Sequence, residues 1–149
     1  MSVTLRPARA EDASDVRALI RAAYQMDVSR MDREPAPMLA DYDALVAQDV
    51  VTVACIDDAV AGALICYPRG EALHVENVGV SPDFQGHGLG KTLMQEAEDQ
   101  ARAHGLSKIE LYTNEVMTEN IPFYEAIGYA IVRRAEQDGY QRIFFEKYV

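Results

Sequence analysis

Residues 85–92 read QGHGLGKT, a glycine-rich turn ending in Gly-Lys-Thr. Two nucleotide chemistries use such turns. A P-loop needs glycine, four residues, then Gly-Lys-Ser/Thr. Counting back from Gly90 puts its first glycine at Gln85, and Gly86 stands one residue too close. The shorter loop presents too few backbone N–H groups to wrap a β-phosphate, and no later Asp after an apolar strand is placed to hold magnesium. The dinucleotide turn Gly-x-Gly-x-x-Gly fails too. After Gly86 and Gly88 its third glycine would fall at Lys91. A more general chemistry remains. A turn feeding a helix leaves N–H groups pointing outward at the positive end of the helix dipole, an anion site that suits pyrophosphate. Glycines let a ligand approach the backbone without Cβ clashes. Three glycines at alternate positions exceed what a bare strand-to-helix turn needs.

The flanking elements position this loop. LHVENVGV (73–80) reads as a strand ended by Ser81-Pro82, and residues 89–103 form an amphipathic helix with Leu89, Leu93, Ala97 and Ala101 in one stripe. Gly105 is its stop. Upstream, VTLRP is a first strand, and Val16, Leu19, Ile20, Ala23 and Tyr24 give residues 11–25 a helical period. Residues 26–38 have no period and read as a loop. Residues 39–48 suit a short helix with Leu39, Tyr42, Leu45 and Val46 on one face. Residues 50–67 read as a hairpin turning at Asp57-Asp58, with the pattern broken at Pro68-Arg69-Gly70. KIELYT (108–113) is a strand, and IPFYEAI (121–127) is a short helix closed by Gly128. Two last strands join near Asp138-Gly139. The order β-α-α-β-β-β-α-β-α-β-β predicts a mixed α/β fold.

Composition bounds the rest. A chain of 149 residues, 49% hydrophobic and 26% charged, suits one globular domain spanning 1–149. No apolar run is long enough to span a membrane, and the first residues lack a signal-peptide core, so a cytoplasmic protein is expected. Cys55 and Cys66 lie in separate strand-like runs without metal spacing and read as buried small hydrophobes. The formal charge of −10 argues against nucleic acid, which requires a basic face. It is compatible with a cationic substrate, and equally with simple solubility.

With these elements in place, VGVSPDFQGHGLG resembles the signature of the GNAT superfamily of N-acetyltransferases, Gln/Arg-x-x-Gly-x-Gly/Ala after a strand ending near Val-x-Pro. Val80, Pro82, Gln85, Gly88 and Gly90 match it. FYEAIGY (123–129) resembles the family's Tyr-Glu-x-x-Gly-Tyr/Phe segment, and the element order agrees along nearly the whole chain. The resemblance implies a GNAT fold: a mixed central sheet of about seven strands, about four helices, and a fourth and fifth strand splayed apart by a bulge. It implies acetyl-CoA as cosubstrate, without a metal. The pyrophosphate would lie on residues Gln85, Gly86, His87, Gly88, Leu89, Gly90 and Lys91, with the pantetheine pairing like a strand with Val78 and Val80. His87 faces phosphate or solvent in this reading, and Lys91 likewise.

The resemblance also implies direct attack of a primary amine on the thioester. Tyr124 falls where the family often has the general acid that protonates the leaving thiolate, the alternative being a packing or cofactor-contact role. Glu76 is the base candidate. Alternation along a strand puts 74, 76 and 78 on one face, so His74 could act instead of Glu76 or with it. The Val78 amide would polarise the thioester carbonyl. The sequence departs from the family at Met117, where many members place a cofactor-contacting Asn; Asn114 is out of register, and Asn120 is a weak substitute that keeps a place among the cofactor contacts. The acceptor side is expected within 24–42, where Asp27, Asp32, Glu34 and Tyr42 occur; these acids either attract a cationic amine or merely solvate a loop. Pairing into a homodimer is common in the family and left open. The competing reading is a non-catalytic acyl-CoA sensor or interaction module on the same fold.

Overall fold

The computed structural model describes residues 2–25, 28, 34 and 36–149. Seven strands form one sheet: β1 (Val3–Pro7), β2 (Val51–Ile56), β3 (Ala59–Arg69), β4 (Ala72–Val80), β5 (Lys108–Asn114), β6 (Ala130–Gln137) and β7 (Tyr140–Tyr148). Their spatial order is β1-β2-β3-β4-β5-β7-β6. Every neighbouring pair is antiparallel except β4–β5. Five helices accompany them among the described residues: α1 (Ala13–Tyr24), α2 (Ala36–Leu39), α3 (Tyr42–Ala47), α4 (Leu89–Ala103) and α5 (Asn120–Ala126). The short helix expected over 39–48 begins only at Tyr42 as α3, and α2 occupies the end of the segment 26–38, expected to be a loop. Asp41 caps α3 by accepting from the Ala44 amide at 3.1 Å. Tyr42 and Val46 are buried, but Leu39 is exposed rather than on their face.

The strands carry apolar residues on both faces, and each face packs on helices. Leu89, Leu93, Met94, Ala97 and Ala101 of α4 join Tyr124 of α5 over Leu64, Leu73, Val75, Ile109 and Phe145. On the other face, Val16, Leu19 and Ile20 of α1 and Tyr42 and Val46 of α3 cover Val53, Ala63 and Ile65. Gly79 explains how closely α1 approaches: a Cβ there would stand 2.5 Å from Ile20 Cδ1. Asp57 and Asp58 both have positive φ (49° and 69°), as do Asp138 and Gly139 (55° and 81°), the two-residue turns that match strand twist. β3 continues through Pro68 to Arg69, later than the sequence pattern suggested, and the chain turns at Gly70 with φ of 62°.

β4 is irregular at one point. Ile65 opposes Asn77 while Cys66 opposes Val75, leaving Glu76 as an extra residue. This β-bulge reverses side-chain parity along the strand. Leu73 and Val75 face α4 before it; Val78 and Val80 face α4 after it. The expectation that 74, 76 and 78 share a face is therefore corrected. His74 and Val78 lie on opposite faces. The pairing of β4 with β5 is recorded only for Leu73–Val75 against Ile109–Leu111, so the two strands part where the bulge begins.

Candidate active site

The parting of β4 and β5 opens a groove of about 520 Å³, lined by Val78, Gly79 and Val80, by Phe84–Gly86 and Gly88–Lys91, and by Asn120, Phe123 and Tyr124 of α5. The Ser81 amide donates to Ala61 of β3 at 2.8 Å. Backbone alternation then turns the N–H and C=O groups of Val78 and Val80 away from β3, toward the slot. At the groove's other end Gly88 is the N-cap of α4, with φ of 74° and ψ of 17°. Thr92 makes the first helical bond, its amide donating to the Gly88 carbonyl at 3.1 Å. The amides of Leu89, Gly90 and Lys91 are thus the helix's unsatisfied donors. A Cβ at Gly86 or Gly88 would meet no atom within 4 Å, so the loop's outer side is open, whereas one at Gly90 would press on the Phe123 ring at 3.3 Å. These features fit a long ligand with a pyrophosphate at one end and a strand-like arm at the other. His87 is exposed and is not among the lining residues. The Thr92 hydroxyl is committed to Gly88 O at 3.1 Å.

A second cavity, of about 190 Å³, lies on the other side of the splayed strands. Tyr24, Ala36, Pro37 and Ala40 form one wall; Tyr67, Arg69, His74, Glu76 and Tyr112 form another. The groove and the cavity share Tyr24, Val78, Asn120 and Tyr124. A donor in one and an acceptor in the other would meet at those four residues. Of the acceptor residues anticipated from sequence, Asp27 and Asp32 lie outside the described residues. Glu34 is ion-paired with Arg21 at 3.0 Å and does not line the cavity. Tyr42 is buried, holding a hydrogen-bond chain instead: Tyr24 Oη donates to Asn77 Oδ1 at 2.9 Å, Asn77 Nδ2 donates to Tyr42 Oη at 3.2 Å, and Tyr42 Oη donates to the Pro37 carbonyl. This chain ties α1, the bulged strand and the α2 wall together.

Tyr124 projects from α5 against Phe123, Tyr129 and Phe145, and its hydroxyl makes no hydrogen bond to a described residue. Burial pushes the phenol well above its ordinary value, so it is a proton donor across the neutral range. Glu76 accepts from Tyr67 Oη at 2.9 Å. His74, 2% exposed, packs between the Tyr67 and Tyr112 rings, and its Nδ1 lies 3.2 Å from Glu110 Oε2. Burial, and next the Arg69 charge, hold the imidazole below its ordinary value. Asn120 Nδ2 donates to Thr113 Oγ1 at 2.9 Å and touches Met117 Sδ at 3.8 Å, so Asn120 stands at the junction while Met117 is buried beneath it. Asn114 accepts from the Val116 amide instead. Sequence reasoning missed Asn77, Arg69 and Glu110. An Asn following His74 and Glu76 in a strand of mainly apolar residues was a signal for the first. Strand alternation in KIELYT, which sets Glu110 beside Tyr112 and away from the core, was a signal for the last.

Among the described residues no group of His, Cys, Asp and Glu could hold a metal ion, and no helix is long and apolar enough to cross a membrane. Residues 14–129 match the model of the acetyltransferase (GNAT) family. The chain is 29% identical over 126 residues to an amino-acid acetyltransferase of Serratia proteamaculans, covering 84% of this chain and 26% of that one. It is 28% identical over 129 residues to the amino-acid acetyltransferase of Escherichia coli K12, covering 86% and 27%. It thus spans about a quarter of the length of the curated relatives it matches. In fold it is similar to the PaiA N-acetyltransferase of Thermoplasma acidophilum, solved in complex with coenzyme A, with a TM-score of 0.84 at 18% identity over the whole of both chains.

Proposed function

The chain belongs to the acetyltransferase (GNAT) family, and from that membership we propose that it is a single-domain N-acetyltransferase moving acetyl from acetyl-CoA to a primary amine. The observation that carries this reading is the junction of groove and cavity at Tyr24, Val78, Asn120 and Tyr124. Acetyl-CoA supplies an activated thioester. The amides of 89–91, with the loop at Gln85, Gly86 and Gly88, hold its pyrophosphate; Val78 and Val80 pair with its pantetheine arm. The Val78 N–H polarises the thioester carbonyl. Glu76, with His74 on the same cavity, takes a proton from the ammonium, and Tyr124 protonates the departing thiolate. An unperturbed phenol titrates near ~10 and an unperturbed thiol near ~8.5; burial raises Tyr124 further, so the phenol keeps its proton until the thiolate forms beside it.

The relatives' name, amino-acid acetyltransferase, directs the first test of acceptors to free amino acids. Glu76 offers a carboxylate to an ammonium, and Arg69 a guanidinium to a carboxylate. Polyamines and peptide N-termini complete the panel. Two free buried cysteines fit a reducing, cytoplasmic setting. The experiment is acetyl-CoA consumption over that panel, with Tyr124→Phe as control. We expect kcat to fall about a hundredfold with coenzyme A affinity within twofold. Unchanged turnover sinks the role of Tyr124. Coenzyme A binding without transfer to any amine makes the domain a sensor instead.

A further inference from the structure

Glu110 lies on β5, 36 positions from His74, yet the two are direct neighbours across the parallel pair. They sit on its middle rung, just before the strands part. A carboxylate can only accept, so the 3.2 Å contact places the hydrogen of a neutral imidazole on Nδ1. Nε2 then carries the lone pair. It has no protein partner among the described residues and opens on the cavity that His74 lines. Glu110 is held in turn, its Oε2 accepting from Arg69 Nη2 at 2.7 Å. The result is a row, Arg69–Glu110–His74, ending in a basic nitrogen that faces the acceptor.

We propose that Glu110 and Arg69 are positioning residues that fix the tautomer of His74 and make its Nε2 the final acceptor of the amine's proton. This rests on the acetyltransferase reading and deepens it. One N–H bond of the ammonium breaks, its electron pair stays on nitrogen for attack, and the proton passes to Nε2 directly or by way of Glu76. The imidazolium formed keeps its Nδ1–H bond to Glu110 and later returns the proton to solvent. The second amine proton balances the one that Tyr124 gives to sulfur. An imidazole is better matched than a carboxylate to hold a proton briefly near neutral pH.

The groups that face His74 set the balance. From β3 come Tyr67 and Arg69, from β4 Glu76, from β5 Glu110 and Tyr112. Beyond them on β7, Arg142 stacks over Tyr112 at 4.1 Å, and Glu146 is paired with Lys108 at 3.4 Å. Glu110 and Glu76 favour the imidazolium; Arg69 and burial oppose it.

The test is histidine-labelled NMR on the full chain. It holds only three histidines, and His74→Gln assigns the signal. We expect the neutral ring as the Nδ1–H tautomer, with a titration midpoint that moves down in Glu110→Gln and up in Arg69→Gln. The acid limb of kcat/KM should follow the same two directions, with kcat in Glu110→Gln lower by about tenfold and Glu110→Asp partly restoring it. An Nε2–H tautomer, or midpoints that stay put or move together, overturns the proposal. Because the NMR needs no turnover, this failure is distinct from the absence of acetyl transfer.

Discussion

The two ends of α4 offer a matched experiment on the donor loop. Gly88 precedes the helix with φ of 74° and Gly105 follows it with φ of 70°. A Cβ at either would meet no atom within 4 Å, so Ala at both sites costs only backbone strain. A left-handed Ala costs about 1–2 kcal/mol, which for a domain of this size lowers Tm by about 2–4 °C per kcal/mol. Gly88→Ala and Gly105→Ala should therefore destabilise the free protein alike. Their ligand binding should differ. If the amides of Leu89, Gly90 and Lys91 hold the pyrophosphate, relaxing the Gly88 turn misaims them, and restoring the turn on binding draws on the same 1–2 kcal/mol. That is a roughly 5- to 30-fold loss of coenzyme A affinity, with any steric block by the new methyl added to it. Gly105, at the far end of a 15-residue helix, should bind as the parent does. Calorimetric titration with coenzyme A beside thermal melts of all three proteins gives both numbers. Equal affinity for Gly88→Ala and the parent, with the strain visible in the melts, would refute the assignment of the loop.

Two further outcomes follow from buried polar groups. Asp12 receives Arg6 through both carboxylate oxygens (2.6 and 3.1 Å) and the Arg9 amide at 2.7 Å, and the Arg6 bond lowers its carboxyl below the ordinary value of 3.8. A depressed folded value means stability that is whole above about pH 4 and is lost as pH falls through the folded value. Asp12→Asn should cost about 1–3 kcal/mol in urea melts at pH 7, with the gap to the parent closing toward pH 2. Tyr42→Phe leaves Asn77 Nδ2 and the Pro37 carbonyl without their shared partner, again about 1–3 kcal/mol; steady-state kinetics should show a severalfold higher KM for the amine and an unchanged KM for acetyl-CoA.

The elements that local chemistry dictates were legible in the sequence. The α4 stripe of Leu89, Leu93, Ala97 and Ala101 is fully buried as its period demands, and both Asp-containing turns fall where the turn residues put them. Pro68 misled because its ring reads as a breaker, yet it sits near a hairpin end, opposite Leu73, where a missing N–H costs little. The split between α2 and α3 rests on the Asp41 cap, a signal overridden by the apolar spacing of Leu39 with Tyr42. At the site, the loop and Tyr124 were legible from motifs. The partners of His74 were not, because no local pattern encodes which residue a parallel strand 36 positions away sets beside it.

The extra residue at Glu76 makes β4 unusually intolerant of length change. Most of this fold absorbs an insertion or deletion in a surface turn, such as that at Asp57-Asp58. Losing one residue at the bulge would instead exchange the faces of all of positions 77–80 together. Val78 would be driven into Ile20, whose approach only Gly79 permits, and the buried amide of Asn77 would enter the apolar side. Variation in length among related chains should therefore be abundant in the hairpin turns and absent between Val75 and Gly79.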